Sequence, residues 1–210
     1  MLTPAAAQRR AAVFIDKDGT LLEDEPYNVD PERMRLAPGA CEALSEFACC
    51  SFKLIVISNQ SGVALGRFEI GALDAVEAKL REMFASCGAT LDAVYWCPHH
   101  PAGQVAGYSH ACDCRKPAPG MLLRAAREHR IDLRASWFVG DILDDVEAGN
   151  VAGCKTILLD NGHETVWQRT QMRMPTACAP DLHRAALMIL RYEERCHAKG
   201  SAPTASQRAA

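Results

Sequence analysis

Two hydrophobic patterns alternate along this 210-residue chain. Short unbroken apolar runs rich in β-branched residues, such as Val13-Phe14-Ile15 and Leu54-Ile55-Val56-Ile57, read as strands buried on both faces. Between them, apolar residues recur at helical spacing. Leu73, Val76, Leu80 and Phe84 mark one face of a helix over 70–87. Taken in order, the pattern predicts a strand over 12–15, a helix over 38–51 burying Leu44 and Phe47, a strand over 52–57, the helix 70–87 and a short strand over 91–96. A loop rich in Cys, His, Pro and Gly fills 97–119. A helix over 120–129, a strand over 136–139, a helix over 144–151 closed by Gly153, a final strand over 156–159 and a helix over 181–192 complete the reading. Such alternation predicts an α/β fold, a Rossmann-like parallel sheet with helices on both faces. Residues 1–11 read as a flexible leader, 12–196 as a single domain and 197–210, with Ser, Ala, Pro and Gln, as a disordered tail.

Composition narrows the picture a little. Hydrophobic residues at 49% and charged residues at 23% suit a soluble globular chain with a real core. A net charge of −3 gives no footprint for nucleic acid, and no apolar run approaches bilayer length. The expected partner is therefore a small molecule and the expected state a monomer. The N-terminus has no apolar stretch ahead of a cleavage site, so no signal peptide is read. Ten cysteines is a high count. Cys41, Cys49, Cys50, Cys87 and Cys154 fall in or beside regular elements and read as small buried apolar residues, with Cys178 and Cys196 partly exposed. A reducing cytoplasm is the expected compartment.

The chemistry begins where the first apolar run stops. Asp16-Lys17-Asp18-Gly19-Thr20 places two carboxylates one residue apart at the carboxyl end of a strand, the end at which open α/β sheets bind ligands. Alternation points both carboxylates the same way. A hard cation such as Mg²⁺ between them would relieve their repulsion. One could then attack phosphorus while the other handles a proton. The same residues are also good turn chemistry. Three further segments follow in order: Ser58-Asn59-Gln60 after the second strand, Cys114-Arg115-Lys116-Pro117 before a helix, and Gly140-Asp141 after a third strand, with Asp144 and Asp145 one turn on. Asp, Ser, Lys and Asp at successive strand ends resemble the four-motif set of the haloacid dehalogenase superfamily of phosphohydrolases. Residues 21–38 leave no room for a large helical cap, and the interval between the second and third motifs holds one helix, one strand and the Cys-rich loop. A capless fold with an open site is expected.

Within that loop, Cys97, His99, Cys112 and Cys114 form a Cys₃His set that suits tetrahedral zinc. His100 is the weaker candidate, because Cys-x-His mirrors Cys-x-Cys. The alternative is an ordinary loop with a buried or redox-active cysteine pair. Cys97-Pro98-His99-His100-Pro101, the later Cys112-Asp113-Cys114-Arg115-Lys116-Pro117 and Ser58-Asn59-Gln60-Ser61-Gly62 resemble the heptose-1,7-bisphosphate 7-phosphatases and the related histidinol-phosphate phosphatase domains. Zinc is structural in those families, and a closed four-ligand site is read the same way here. That family most often has Arg where this chain has Lys17, and often Arg in place of Leu65. Residues 159–167 also depart from the usual continuation and read as a rim loop.

The resemblance implies the roles. Asp16 is the nucleophile and Asp18 the acid and base. Mg²⁺ is held by Asp16, by Asp18 through its main-chain carbonyl, and by Asp141, with Asp144 and Asp145 around them. Ser58 and Lys116 bind the transferring phosphoryl group. Gly19, Thr20, Asp24, Tyr27, Asn59, Gln60 and Arg115 face the substrate. That substrate is expected to be a phosphorylated sugar, with histidinol phosphate as the runner-up and an inactive zinc-stabilised binding module as the non-enzyme alternative. His110, His129 and His163 are given surface or core roles.

Overall fold

The computed structural model describes residues 10–200, with side chains to 196. The expected leader through residue 9 and the expected tail from 201 lie outside the described residues. Six parallel strands form one sheet in the order β3-β2-β1-β4-β5-β6. They are β1 (Ala12–Ile15), β2 (Lys53–Asn59), β3 (Ala93–Cys97), β4 (Trp137–Gly140), β5 (Lys155–Leu159) and β6 (Ala177–Ala179). The helices are α1 (Ala40–Ala48), α2 (Ala72–Ser86), α3 (Gly120–His129), α4 (Leu143–Ala152) and α5 (Leu182–Gly200).

Alternation along each strand divides the core in two. Val13, Ile15, Leu54, Val56 and Val139 meet α1, α2 and α5 on one face. Ala12, Phe14, Ile55, Ile57 and Phe138 meet α3 and Ala148 of α4 on the other. The three fully buried residues Phe14, Ile15 and Val13 at the centre of β1 explain why its sequence lacks a polar face. β1 pairs with both β2 and β4, so the strand order reverses beside it. A crevice opens at the carboxyl ends wherever an open sheet reverses in this way, and β1 and β4 end there.

Several expectations need correction. Residues 10 and 11 are not free leader: Arg10 donates from its amide to the Arg130 carbonyl, and its own carbonyl accepts from Asp132. The final strand is β6, three residues too short to show a period. α5 runs past 192 to Gly200. The added length is used: Glu193, just past the expected end, accepts from Trp137 Nε1 at 3.1 Å. Cys41 and Cys87 are not independent buried thiols but a disulfide tying α1 to the end of α2. Cys49 is exposed and Cys50 half-buried, Cys154 is buried as expected, and Cys178 and Cys196 are exposed.

Candidate active site

β1 delivers Asp16 into the crevice, and the Asp16 amide still pairs with the Val139 carbonyl at 2.9 Å. The chain then turns sharply. Gly19 sits at φ +78°, and a Cβ there would overlap Asp141 and His163, so this close approach requires glycine. β4 delivers Asp141 after Gly140. A side chain at Gly140 would collide with Asp145, which folds back from the first turn of α4. Asp16, Asp141 and Asp145 thereby bring carboxylate oxygens within 4.8 Å of one another, all three buried.

Lys116 enters this group from the loop before α3. Its ammonium contacts Asp16 Oδ1 and lies 2.6 Å from Asp145 Oδ1. It is 3% exposed, so it meets this pair away from solvent. Burial opposes its charge, but Asp145 and Asp16 outweigh that and hold it protonated above the ordinary lysine range. The carboxylates feel burial more than they feel Lys116. Asp16 is pushed up to about 7, and Asp141 and Asp145 to about 6 each, with burial the largest cause in every case. Three carboxylates against one ammonium leave the group electrically unbalanced. Asp145 Oδ1 is buried without a well-directed hydrogen-bond donor. An all-oxygen donor set with unspent acceptors and excess negative charge fits a hard divalent cation.

The remaining expected residues take definite places. Asp18 stays outside the three-carboxylate group. Lys17, 2% exposed, contacts its Oδ1, and Gln60 Nε2 donates to its Oδ2 at 3.2 Å. Gln60 also donates to Ser58 Oγ at 2.9 Å, linking the second motif to the first. Thr20 donates to Asp141 Oδ1 at 3.0 Å. Thr20 and Gln60, expected to face the substrate, are thus buried and turned toward the carboxylates. Asn59 likewise clamps the Lys116 backbone instead: Nδ2 donates to its carbonyl at 3.1 Å and Oδ1 accepts from its amide at 3.0 Å. Asp144 departs from expectation as well. It turns outward to Arg173 at 2.7 Å, while Asp145 belongs among the carboxylates themselves. Asp24 lines a cavity of about 320 Å³ with Lys17, Asp18, Asn28 and Arg35. Tyr27 is half-exposed at φ +59°, its ring under the Arg67 guanidinium at 5.6 Å.

The Cys-rich loop forms a second cluster. Cys97, His99, Cys112 and Cys114 bring their donor atoms within 4.8 Å of one another. Cys97 Sγ lies 3.6 Å from Cys112 Sγ and 3.2 Å from Cys114 Sγ, and His99 Nδ1 lies 3.2 Å from Cys114 Sγ. Tetrahedral ligands at zinc–sulfur distances are separated by about 3.8 Å, so these four need little adjustment to hold one ion. His100 instead accepts from the Ala102 amide. The cluster anchors Cys114, and Arg115 reaches back toward the His99 carbonyl at 3.5 Å.

Residues of the expected rim loop, none of them assigned to the site from the sequence, close the crevice from the β5 side. Asn161 Nδ2 donates to the Gly19 carbonyl at 2.7 Å, and His163 Nδ1 lies 2.8 Å from Asp141 Oδ2. Glu164 accepts from the Leu143 amide at 2.7 Å, at the start of α4. His163 therefore has a partner in the site, contrary to the surface or core role expected of it. The departure of 159–167 from the usual continuation marked this segment as a rim loop, but nothing in it showed which residues would reach the carboxylates.

Residues 113–185 match a family model described as HAD-hydrolase-like. The D-glycero-beta-D-manno-heptose-1,7-bisphosphate 7-phosphatase of Yersinia pestis is 39% identical over 148 residues, 70% of this chain and 79% of that protein. Its Escherichia coli K12 counterpart is 38% identical over 70% and 78% of the two chains. Among solved structures, the heptose 1,7-bisphosphate phosphatase of B. bronchiseptica, determined with magnesium and phosphate, superposes with a TM-score of 0.74 at 31% identity, covering 87% of this chain and 99% of that one. A HAD-like phosphatase from Mesorhizobium loti gives 0.74 at 30% identity over 90% and 91%. With the four motifs gathered at one crevice, these likenesses settle the family: the chain is a phosphatase of the haloacid dehalogenase superfamily and belongs with the heptose-bisphosphate phosphatases.

Proposed function

We propose that this phosphatase removes the 7-phosphate of D-glycero-D-manno-heptose 1,7-bisphosphate, in the synthesis of nucleotide-activated heptose for lipopolysaccharide core. The names and similarity of the relatives support the substrate. The observation that carries the chemistry is the buried Asp16–Lys116–Asp145 contact at the strand reversal, with Asp18 held two residues after Asp16. In this reading an Asp16 oxygen attacks phosphorus, and the bond from phosphorus to the sugar oxygen breaks. Asp18 gives that oxygen its proton. Water then attacks the aspartyl-phosphate, Asp18 takes a proton from the water, and the Asp16 carboxylate is released with inorganic phosphate. Lys116 and Ser58 face the charge on the transferring oxygens.

Asp16, Asp141 and the Asp18 carbonyl would hold Mg²⁺, with Asp145 beside them. Bound there, the ion supplies charge neutralisation and orientation of the phosphoryl group. Zinc on Cys97, His99, Cys112 and Cys114 would serve structure, because all four positions are taken by protein. Asp24, Tyr27 and Arg115 are proposed to meet the sugar. A monomer in the cytoplasm completes the proposal, and the Cys41–Cys87 bridge runs against a reducing compartment.

A phosphate-release panel of sugar bisphosphates, sugar monophosphates and histidinol phosphate tests the substrate, with ³¹P NMR to identify the phosphate lost. The heptose bisphosphate is expected to give the highest kcat/KM, with the 1-phosphate retained. Faster hydrolysis of histidinol phosphate would reject the proposal.

A further inference from the structure

The segment between β5 and β6 crosses the crevice as a strap with three separate attachments. Asn161 holds the turn of the first motif through the Gly19 carbonyl, and Glu164 holds the start of α4 through the Leu143 amide. Between them His163 Nδ1 meets Asp141 Oδ2 at 2.8 Å. Farther on, Arg173 pairs with Asp144 and Glu147 at 2.7 Å each, and Asn150 donates to the Met172 and Met174 carbonyls. The strap is thus tied from both ends to α4, which carries Asp145, and from its near end to the first-motif turn and to Asp141. His163 is exposed at the rim, with 37% of its side chain accessible, and its Nδ1 lies against the space that a Gly19 side chain would fill.

Asp141 is left with one oxygen bonded by Thr20 and the other by His163. Two donors on opposite oxygens fix the plane of a carboxylate. A carboxylate that ligates a cation binds more tightly when its orientation is fixed beforehand. His163 itself lies outside the group of three carboxylates within 4.8 Å, so its contact with the site runs through Asp141. We propose that His163 is a positioning residue, which presents Asp141 to the divalent cation and makes cation affinity depend on the strap. This rests on the reading of the carboxylate group as a cation site.

The test uses Mn²⁺ as the probe, with direct binding followed by electron paramagnetic resonance on the full chain. Wild type, Asp141→Asn, His163→Ala, His163→Asn and Asn161→Ala are compared, each checked for an unchanged circular dichroism spectrum. The proposal predicts that His163→Ala weakens Mn²⁺ binding by about 10- to 100-fold. The same variant raises the KM for Mg²⁺ while kcat at saturating metal stays within about threefold. His163→Asn, whose amide can donate from nearly the same place, restores most of the affinity, and Asn161→Ala gives a smaller loss in the same direction. Wild-type affinity in His163→Ala, with Asp141→Asn still weakened, would overturn the role of His163 and leave the cation site standing. No Mn²⁺ binding by the wild type, or binding indifferent to Asp141→Asn, would overturn the cation site and this proposal with it.

Discussion

Asp16 illustrates how strongly burial sets the behaviour of the site. In the metal-free protein its carboxyl is pushed up to about 7, although Lys116 touches it. Asp141 and Asp145, each near 6, follow for the same reason. All three lie above the ordinary aspartate value of 3.8, so between about pH 4 and pH 7 the folded chain holds protons that the unfolded chain has released. Stability from these groups is therefore largest below that window and is lost as pH rises through it. Lys116 is protonated throughout the window and adds no slope. Melting in chelator should give a transition temperature that falls from pH 5 to pH 8. Added Mg²⁺ should raise it more at pH 8 than at pH 5, because the cation competes with protons for the same oxygens. A flat profile, or equal Mg²⁺ stabilisation at both pH values, would contradict the buried carboxylate group. Much of this group was legible in the chain, because a carboxylate directly after a doubly buried strand has few other uses. The partition of roles was less so. Which of Asp144 and Asp145 turns inward depends on the first-turn geometry of α4 against Gly140, and two adjacent aspartates do not reveal it.

At the scale of elements, strand and helix periods were enough to locate β1, β2, α2, α3 and α4 within a residue or two. They failed where a segment is held by side-chain contacts and has no period of its own: β6, the last turns of α5 and the strap over 160–167. The Cys97–Cys114 loop was legible for the opposite reason, since it has no strand or helix period but places three cysteines and a histidine at paired spacings. Elemental analysis should find about one zinc per chain. Cys112→Ser should lower the zinc content and cut activity more than it lowers the melting temperature, because Cys114 carries Arg115 and Lys116 beside it. Full activity in a zinc-free chain would show that the cluster does not set their position. The Cys41–Cys87 bridge could not be read, because pairing needs spatial proximity between α1 and α2. Denatured, metal-free, unreduced protein should titrate eight thiols of its ten cysteines. With the paired positions 46 apart in the chain, reduction should lower stability by about 4 kcal/mol on the chain-entropy account. Ten reactive thiols before reduction would refute the bridge.

For the molecule as a whole, the order β3-β2-β1-β4-β5-β6 brings motifs distant in the chain to one crevice. Asp16 and Lys116 are 100 residues apart and in contact. Alternating strands and helices predicted the parallel sheet, and carboxyl-end placement predicted that the motifs would converge there. The closing strap and the linkage of Ser58, Gln60 and Asp18 depended on tertiary contacts that no local pattern encodes. The central claim is that Asp16 attacks phosphorus. Its most direct test is the initial rate of phosphate release from heptose 1,7-bisphosphate by Asp16→Asn, with saturating Mg²⁺ and the fold verified by circular dichroism. The variant should be slower than wild type by about 10³-fold or more. Turnover within a few-fold of wild type would contradict a covalent role for Asp16.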